Sequence, residues 1–313
     1  MQLFLQRIFD ASGNGAIYAA LAVALSLGYR SSGHLNFALG EGSMVSVYTA
    51  LILATTPSPR LKFSQWAGPH LGTPWPIVPA FLGAMVVGFA ISVTIYAGFM
   101  GGGRKRSVTA VVGITIGVSL LLHGLATQTV GTGFRAFPTP FPQGPDAFFN
   151  VGGARLWFEN IGIALTLAVV LGALALAMKL TKLGLAFRAV TANRASSELV
   201  GIRVGRTLAL GWGMAGALGA LAGVLVANTT LVEPNMMARL FLFSLAAATI
   251  GGLDNPVGAA VGGFVVALVQ TMAGGYVPSI GGDVSELVAI ALLLIVLFFR
   301  PQGLLGRPHV VRA

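Results

Sequence analysis

The sequence predicts an all-α, polytopic membrane protein of about eight or nine transmembrane helices, some short or broken, and three observations carry that reading. Of 313 residues, 55% are hydrophobic and 9% charged, with mean hydropathy +0.84. So little polar surface cannot coat a globule in water. The apolar residues fall in runs of about 20, the length that crosses hydrocarbon as a helix. The Lys and Arg residues gather at the ends of those runs, so the net charge of +10 speaks for membrane topology and against nucleic acid. Membrane lipid is the expected solvent. The chain holds no cysteine, which excludes disulfides, thiolate metal sites and cysteine nucleophiles.

The amino end lacks the basic region and small-residue cleavage site of a signal peptide, and Asp10 follows a single Arg7, so the first span is expected to remain. Spans are expected near 12–30, 35–54, 77–99, 108–129 and 160–178, then, after a basic segment at 179–206, near 207–228, 238–253, 256–273 and 284–300. The pair at 238–273 is short and glycine-rich, and is either two spans or one broken element. Two basic groups, Arg104 to Arg106 and Lys179 to Arg206, mark cytoplasmic loops. They are separated by two spans and the proline-rich loop 130–159, and counting outward from them puts Arg30 inside, the amino end outside, and Arg300, Arg307 and the carboxyl end inside. Glycines at small-residue spacing, Gly113 with Gly117, Gly219 with Gly223 and Gly258 with Gly262, predict close helix packing. No linker separates a second domain, so residues 1–313 read as one transmembrane domain.

The segment from Gly184 to Gly205 interrupts two spans yet keeps helix-compatible residues, and reads as a short cytoplasmic helix. Ala186, Ala189, Asn193 and Ser196 make one small-residue face, while Arg188, Arg194 and Glu198 supply charge elsewhere. Either that face docks into a groove, or the segment is a basic loop that serves topology alone. Glu41 stands well inside an apolar run between Gly40 and Gly42, where burying a charge costs about 3 kcal/mol. It is either part of a translocation path or gate with Asn36 and Ser43, or a structural partner for a neighbouring helix, with Asn36 as one candidate contact. His123, Gln128, Asn228, Gln270 and Thr271 offer further polar groups within spans. No His or carboxylate pair has metal-ligand spacing, and no phosphate-binding loop occurs; Gly101 to Ser107 has glycines and bases at the wrong spacing.

Four segments resemble the permeases of the branched-chain amino acid importer family. His34-Leu-Asn-Phe-Ala-Leu-Gly-Glu-Gly42 resembles its early NFAxGE element, and 184–205 looks like the loop that contacts the ATPases. Gly251 to Gly263 is similar to its late glycine-rich turn, and Arg300-Pro-Gln-Gly-Leu-Leu-Gly306 to its terminal RPxGLxG ending. Their order is closer to the LivH-type half of the permease pair than to the longer LivM-type half. The resemblance implies the membrane subunit of an ATP-binding-cassette importer in a bacterial inner membrane, not itself an enzyme and with no cofactor. It implies as partners a second permease, identical or homologous, two cytoplasmic ATPases, and an external binding protein that delivers a branched-chain amino acid or similar small polar solute. Gly184, Arg188, Ala189, Asn193, Ala195, Glu198 and Gly201 would then contact the ATPases, and Asn36, Gly40, Glu41, Gly42 and Ser43 would line the path. Few charges lie within the spans, so the path should be mostly apolar and specificity should reside largely in the binding protein. The rival reading is an ion-coupled secondary transporter with its site at the broken helices 238–273, which needs buried acidic or polar groups to carry coupling ions, and Glu41 is the lone carboxylate that supports it.

Overall fold

A backbone surrounded by hydrocarbon has no water to bond, so each apolar run must satisfy its N–H and C=O groups within itself and becomes a helix. The computed structural model describes residues 2–55, 77–100, 107–142, 144–276, 285–300 and 303–306. The basic group Arg104 to Arg106, with His70, Pro301, Arg307, His309 and Arg312, lies outside them. The helices are α1 (Gln2–Ser32), α2 (Leu39–Ala54), α3 (Ile77–Ile95, continuing as a wider π turn over Tyr96–Met100), α4 (Val108–Val130) and α5 (Phe158–Leu180). After them come α6 (Lys182–Ala192), α7 (Arg194–Leu199), α8 (Val204–Thr229), α9 (Met236–Gly251), α10 (Pro256–Tyr276) and α11 (Ser285–Phe299). Six are long and apolar enough to cross a membrane, and α2, α9 and the 287–299 stretch of α11 are shorter apolar helices. These nine elements fall on the nine expected spans, and the pair at 238–273 forms two separate helices.

Four features differ from expectation, the first being that α1 begins at Gln2 rather than near 12. The second span begins at Leu39 rather than 35, because Gly33 in the left-handed region (φ 78°) ends α1 and the Asn36 side chain takes up the Ala38 N–H in a turn. The 184–205 segment is two helices rather than one, broken at Asn193, whose backbone is extended and whose side chain caps α7. Within the loop 130–159 an antiparallel hairpin forms, β1 (Phe148–Val151) paired with β2 (Ala154–Trp157). Gly152 and Gly153 supply the two positive φ angles that a two-residue turn needs.

The chain divides into two compact units. The first contains residues 1–26, 141–174 and 239–313. Here α1 meets α10 closely: a Cβ at Gly263 would overlap the backbone of Ala19, and one at Gly15 the ring of Phe264. Helices α9 and α10 touch through Gly251, Gly258 and Gly262, as their spacing predicts, with Gly258 against the Gly251 carbonyl. Tyr18 donates to Gln270 Oε1 at 2.9 Å, Ser26 to the Leu253 carbonyl at 2.8 Å. Residues 303–305 lie on the turn between α9 and α10: the Leu304 N–H donates to the Ile250 carbonyl and Asn255 Nδ2 to the Leu305 carbonyl. At the amino end, Gln6 holds the Arg155 backbone of β2 through both its N–H and its carbonyl.

The second unit contains residues 27–140 and 175–238, with α8 as its buried centre. Helix α3 lies on α8 where Gly88 and Gly216 face one another so closely that a Cβ at either would overlap the other's carbonyl oxygen. Gly223 makes room for Val47 of α2 and for Met237. By contrast, a Cβ at Gly113 or Gly117 of α4 would meet nothing within 4 Å, so the close packing their spacing predicts does not occur among the described residues. An antiparallel bridge joins Arg135 to Val232, and Arg194 Nη2 donates to the Ser31 carbonyl at the end of α1, at 2.9 Å.

Candidate functional site

In the second unit, a carboxylate on α2 meets an imidazole on α4. Glu41 Oε2 lies 3.3 Å from His123 Nδ1, with side-chain exposures of 12% and 34%. Gly40 and Gly42 on either side are buried, and a Cβ at Gly42 would touch Ile91 of α3, so the glycines bring α2 against its neighbour and leave Glu41 directed toward α4. Ser43, Ser46 and Thr49 return their hydroxyls to the carbonyls of Leu39, Gly42 and Val45, four residues back. That arrangement satisfies a hydroxyl inside a membrane helix without a second helix. Of the expected path residues, therefore, Asn36 builds the turn before α2, Gly40, Gly42 and Ser43 are buried in packing, and Glu41 meets His123 of α4.

A groove runs along the same face of α2. A cavity of about 220 Å³ is lined by Val45, Tyr48, Thr49 and Ile52 of α2 and by Leu122, Leu125, Ala126, Thr129 and Val130 of α4. Its walls are apolar except for hydroxyl groups. Tyr48 is 4% exposed, and its hydroxyl is buried with no hydrogen-bond partner. At the far end, Arg135 Nη2 donates to the carbonyl of Val130, a cavity-lining residue, while its Nη1 is buried and unpartnered. Burial lowers the Arg135 pKa from its ordinary value. His123 was one of several candidate polar groups in the sequence, and it is the one that meets Glu41. Of the others, Gln270 meets Tyr18, Thr271 bonds its own helix at Ala267, Asn228 is buried with no partner for its amide, and Gln128 is exposed.

The segment 184–205 is anchored on one side and free on the other. Thr181 caps α6 by accepting the Gly184 N–H at 3.2 Å, and a Cβ at Gly184 would overlap the backbone of Met178, so this turn needs glycine. Phe187 packs into the space that Gly211 leaves on α8, and Val190 joins Ala38, Ile95, Tyr96, Leu208 and Trp212 in one apolar cluster. Asn193 Oδ1 accepts the Ser196 N–H at 3.1 Å, and Gly201 closes α7 with φ 82°. Arg188, Asn193, Ala195, Glu198 and Gly201 are exposed, and Ala186 and Ala189 are half-buried. The expected single small-residue face is therefore split by the break at Asn193: Ala186 and Ala189 lie half-buried on α6, Asn193 and Ser196 are exposed at and beyond the break, and Gly184, Phe187 and Val190 form the packed face. Sequence reasoning missed Leu199 and Val200, which are 89% and 76% exposed. An apolar pair directly after Glu198, at the end of a charged segment, was the signal. Burial pulls the His34 pKa below its ordinary value, and the Arg194 charge pushes the same way.

Among the described residues no group of three or more His, Asp or Glu converges to hold a metal. The profile of the family described as "Branched-chain amino acid transport system / permease component" matches residues 7–297. The chain is 27% identical to the high-affinity branched-chain amino acid transport system permease protein LivH of Escherichia coli, over 98% of this chain and 97% of that one. It is likewise 27% identical to BraD of Pseudomonas aeruginosa, with the same coverage. A probable LivH of Methanocaldococcus jannaschii is 26% identical over 93% of this chain and 90% of that one. Among solved structures, PsaBC from Streptococcus pneumoniae in complex with Fab gives a TM-score of 0.48 at 15% identity, over 96% of this chain and 92% of that one, too remote a likeness to bear on function.

Proposed function

The chain belongs to the branched-chain amino acid transport system permease family, and on that premise we propose that it is the membrane subunit of an ATP-driven importer of branched-chain or similar aliphatic amino acids. It pairs with a second permease, identical or homologous, to enclose the path. Two cytoplasmic ATPases hydrolyse ATP, an external binding protein delivers the solute, and residues 1–313 work as one transmembrane domain in a bacterial inner membrane. The amino end lies outside and the carboxyl end in the cytoplasm. The Lys and Arg distribution carries this orientation, and four contacts fit the alternation of nine crossings, because each joins segments that such a count places on one side. Arg194 meets Ser31, residues 303–305 the turn after α9, Gln6 the hairpin and Arg135 Val232.

The single observation that carries the reading is the two-sided segment α6–α7. Its exposed side presents Arg188, Glu198, Leu199 and Val200, the mixture of apolar and charged groups that a protein partner covers. Its packed side holds Phe187 and Val190 against α8, and Arg194 holds the end of α1. A partner that moves α6–α7 therefore moves α8 and α1 with it, which switches the side to which the path opens. In affinity purification of the tagged chain from its native membrane, the ATPases are expected to co-purify and to be lost from the double variant Leu199→Asp, Val200→Asp. Retention of both ATPases by a variant that folds normally would remove the coupling role.

A further inference from the structure

We propose that the groove between α2 and α4 is a binding site for the transported solute: an aliphatic α-amino acid lays its side chain along the groove, with its carboxylate at Arg135 and Tyr48 and its ammonium at Glu233. The inference rests on the transport reading and assigns that solute a place in this chain. Three features of the groove point to it. First, size: an apolar cavity of about 150 Å³ holds a benzene-sized guest, so 220 Å³ has ample room for a branched four-carbon side chain. Second, two buried polar groups at the mouth lack partners, the Tyr48 hydroxyl and Arg135 Nη1, and buried donors of this kind are normally satisfied. A carboxylate satisfies both. Third, the bridge between Arg135 and Val232 puts Glu233 beside the same mouth. No ion pair joins Arg135 to Glu233 among the described residues. One cation and one anion, uncommitted to each other at the mouth of an apolar chamber, complement a zwitterion.

A lipid acyl chain is the competing occupant. It reaches across half of a core about 30 Å thick, whereas the lined stretch from Val45 to Ile52 is about 10 Å long. Beyond it lie Glu41 and His123, which meet one another but whose remaining polar atoms an acyl chain would leave unsolvated. The site adds a filter to the one the sequence places in the binding protein. The binding protein sets which solute arrives, and the groove sets which arriving solutes pass.

The test measures binding of tritiated L-leucine and L-alanine to the intact membrane transporter, purified with its partner subunits but without the external binding protein. Ala126→Leu fills the chamber, Thr129→Leu narrows it from its exposed edge should Ala126→Leu fail to fold, and Arg135→Gln removes the guanidinium, with Arg135→Lys keeping the charge. The expected result is specific L-leucine binding to the unaltered transporter, weakened about tenfold by Arg135→Gln and less by Arg135→Lys. The chamber-filling variants should lose L-leucine more than L-alanine. No specific binding to the unaltered transporter, equal loss of both solutes in the filled variants, or native mass spectrometry showing a phospholipid that L-leucine does not displace would each overturn the proposal. Binding is read without ATP or uptake, so a failure of ATP-driven transport would count against the importer reading separately.

Discussion

A carboxylate inside a membrane helix must be solvated, neutralised or partnered, and Glu41 meets that demand through His123 at 3.3 Å. Changing His123→Leu leaves Glu41 facing an apolar groove and should cost about 1–3 kcal/mol of stability in detergent. Adding Glu41→Gln should restore part of that loss in a double-mutant cycle of melting curves, and purely additive losses would show that the two do not interact. The need for a partner was legible in the sequence, but its identity was not. Asn36, the near candidate, is taken up by the turn it builds, and a contact between positions 41 and 123 leaves no periodic trace. His34 gives the pH dependence. Its folded-state pKa lies below the ordinary 6.5, so below that value the unfolded chain binds a proton that the folded chain resists. Stability therefore rises with pH through the window beneath 6.5 and is lost on acidification. Between roughly pH 7.5 and 5.5 the melting temperature should fall further for the native chain than for His34→Gln, and equal falls would remove His34 from the account.

Glycine spacing identifies candidate contacts between elements without saying which ones form. Gly258 and Gly262 pack α10 on α9 and Gly216 seats α3 on α8, whereas a Cβ at Gly113 or Gly117, equally well spaced, would meet nothing among the described residues. Spacing fixes a face of a helix, and only the other helices decide what covers it. Gly216→Leu should accordingly cost about 3 kcal/mol or more by overpacking, while Gly113→Leu should stay within about 0.5 kcal/mol in the isolated chain; thermal melts of the two variants compare them directly. All nine apolar runs were legible because hydrocarbon imposes a minimum length on every crossing. The break at Asn193 was not, because a short polar helix has no such length and the same asparagine fits either a helix face or a cap. Asn193→Ala should therefore loosen α7 by about 1 kcal/mol, seen as faster amide hydrogen exchange across 194–200; unchanged exchange would remove the cap.

At the scale of the whole molecule, the second unit connects the exposed side of α6–α7 to α8, and on α2 and α4 it carries a groove with the Glu41–His123 contact at one end and unpartnered polar groups at the other. Such a chain converts a push on its cytoplasmic segment into movement of the helices around a path, and needs a separate source of energy to supply the push. Family membership was legible in short segments spread from His34 to Gly306, since these hold turns and contacts that tolerate few residue types. The groove was not, because its lining residues are ordinary apolar ones that gain meaning only when α2 and α4 face each other. The central claim is that ATP hydrolysed by partner chains drives this permease. It is tested most directly by L-leucine uptake into proteoliposomes that contain the chain, its co-purified subunits and the binding protein, with ATP on the ATPase side. Uptake that requires ATP and the binding protein, and persists when ion gradients are collapsed, is the predicted result; uptake by the chain alone, driven by an ion gradient without ATP, would contradict it.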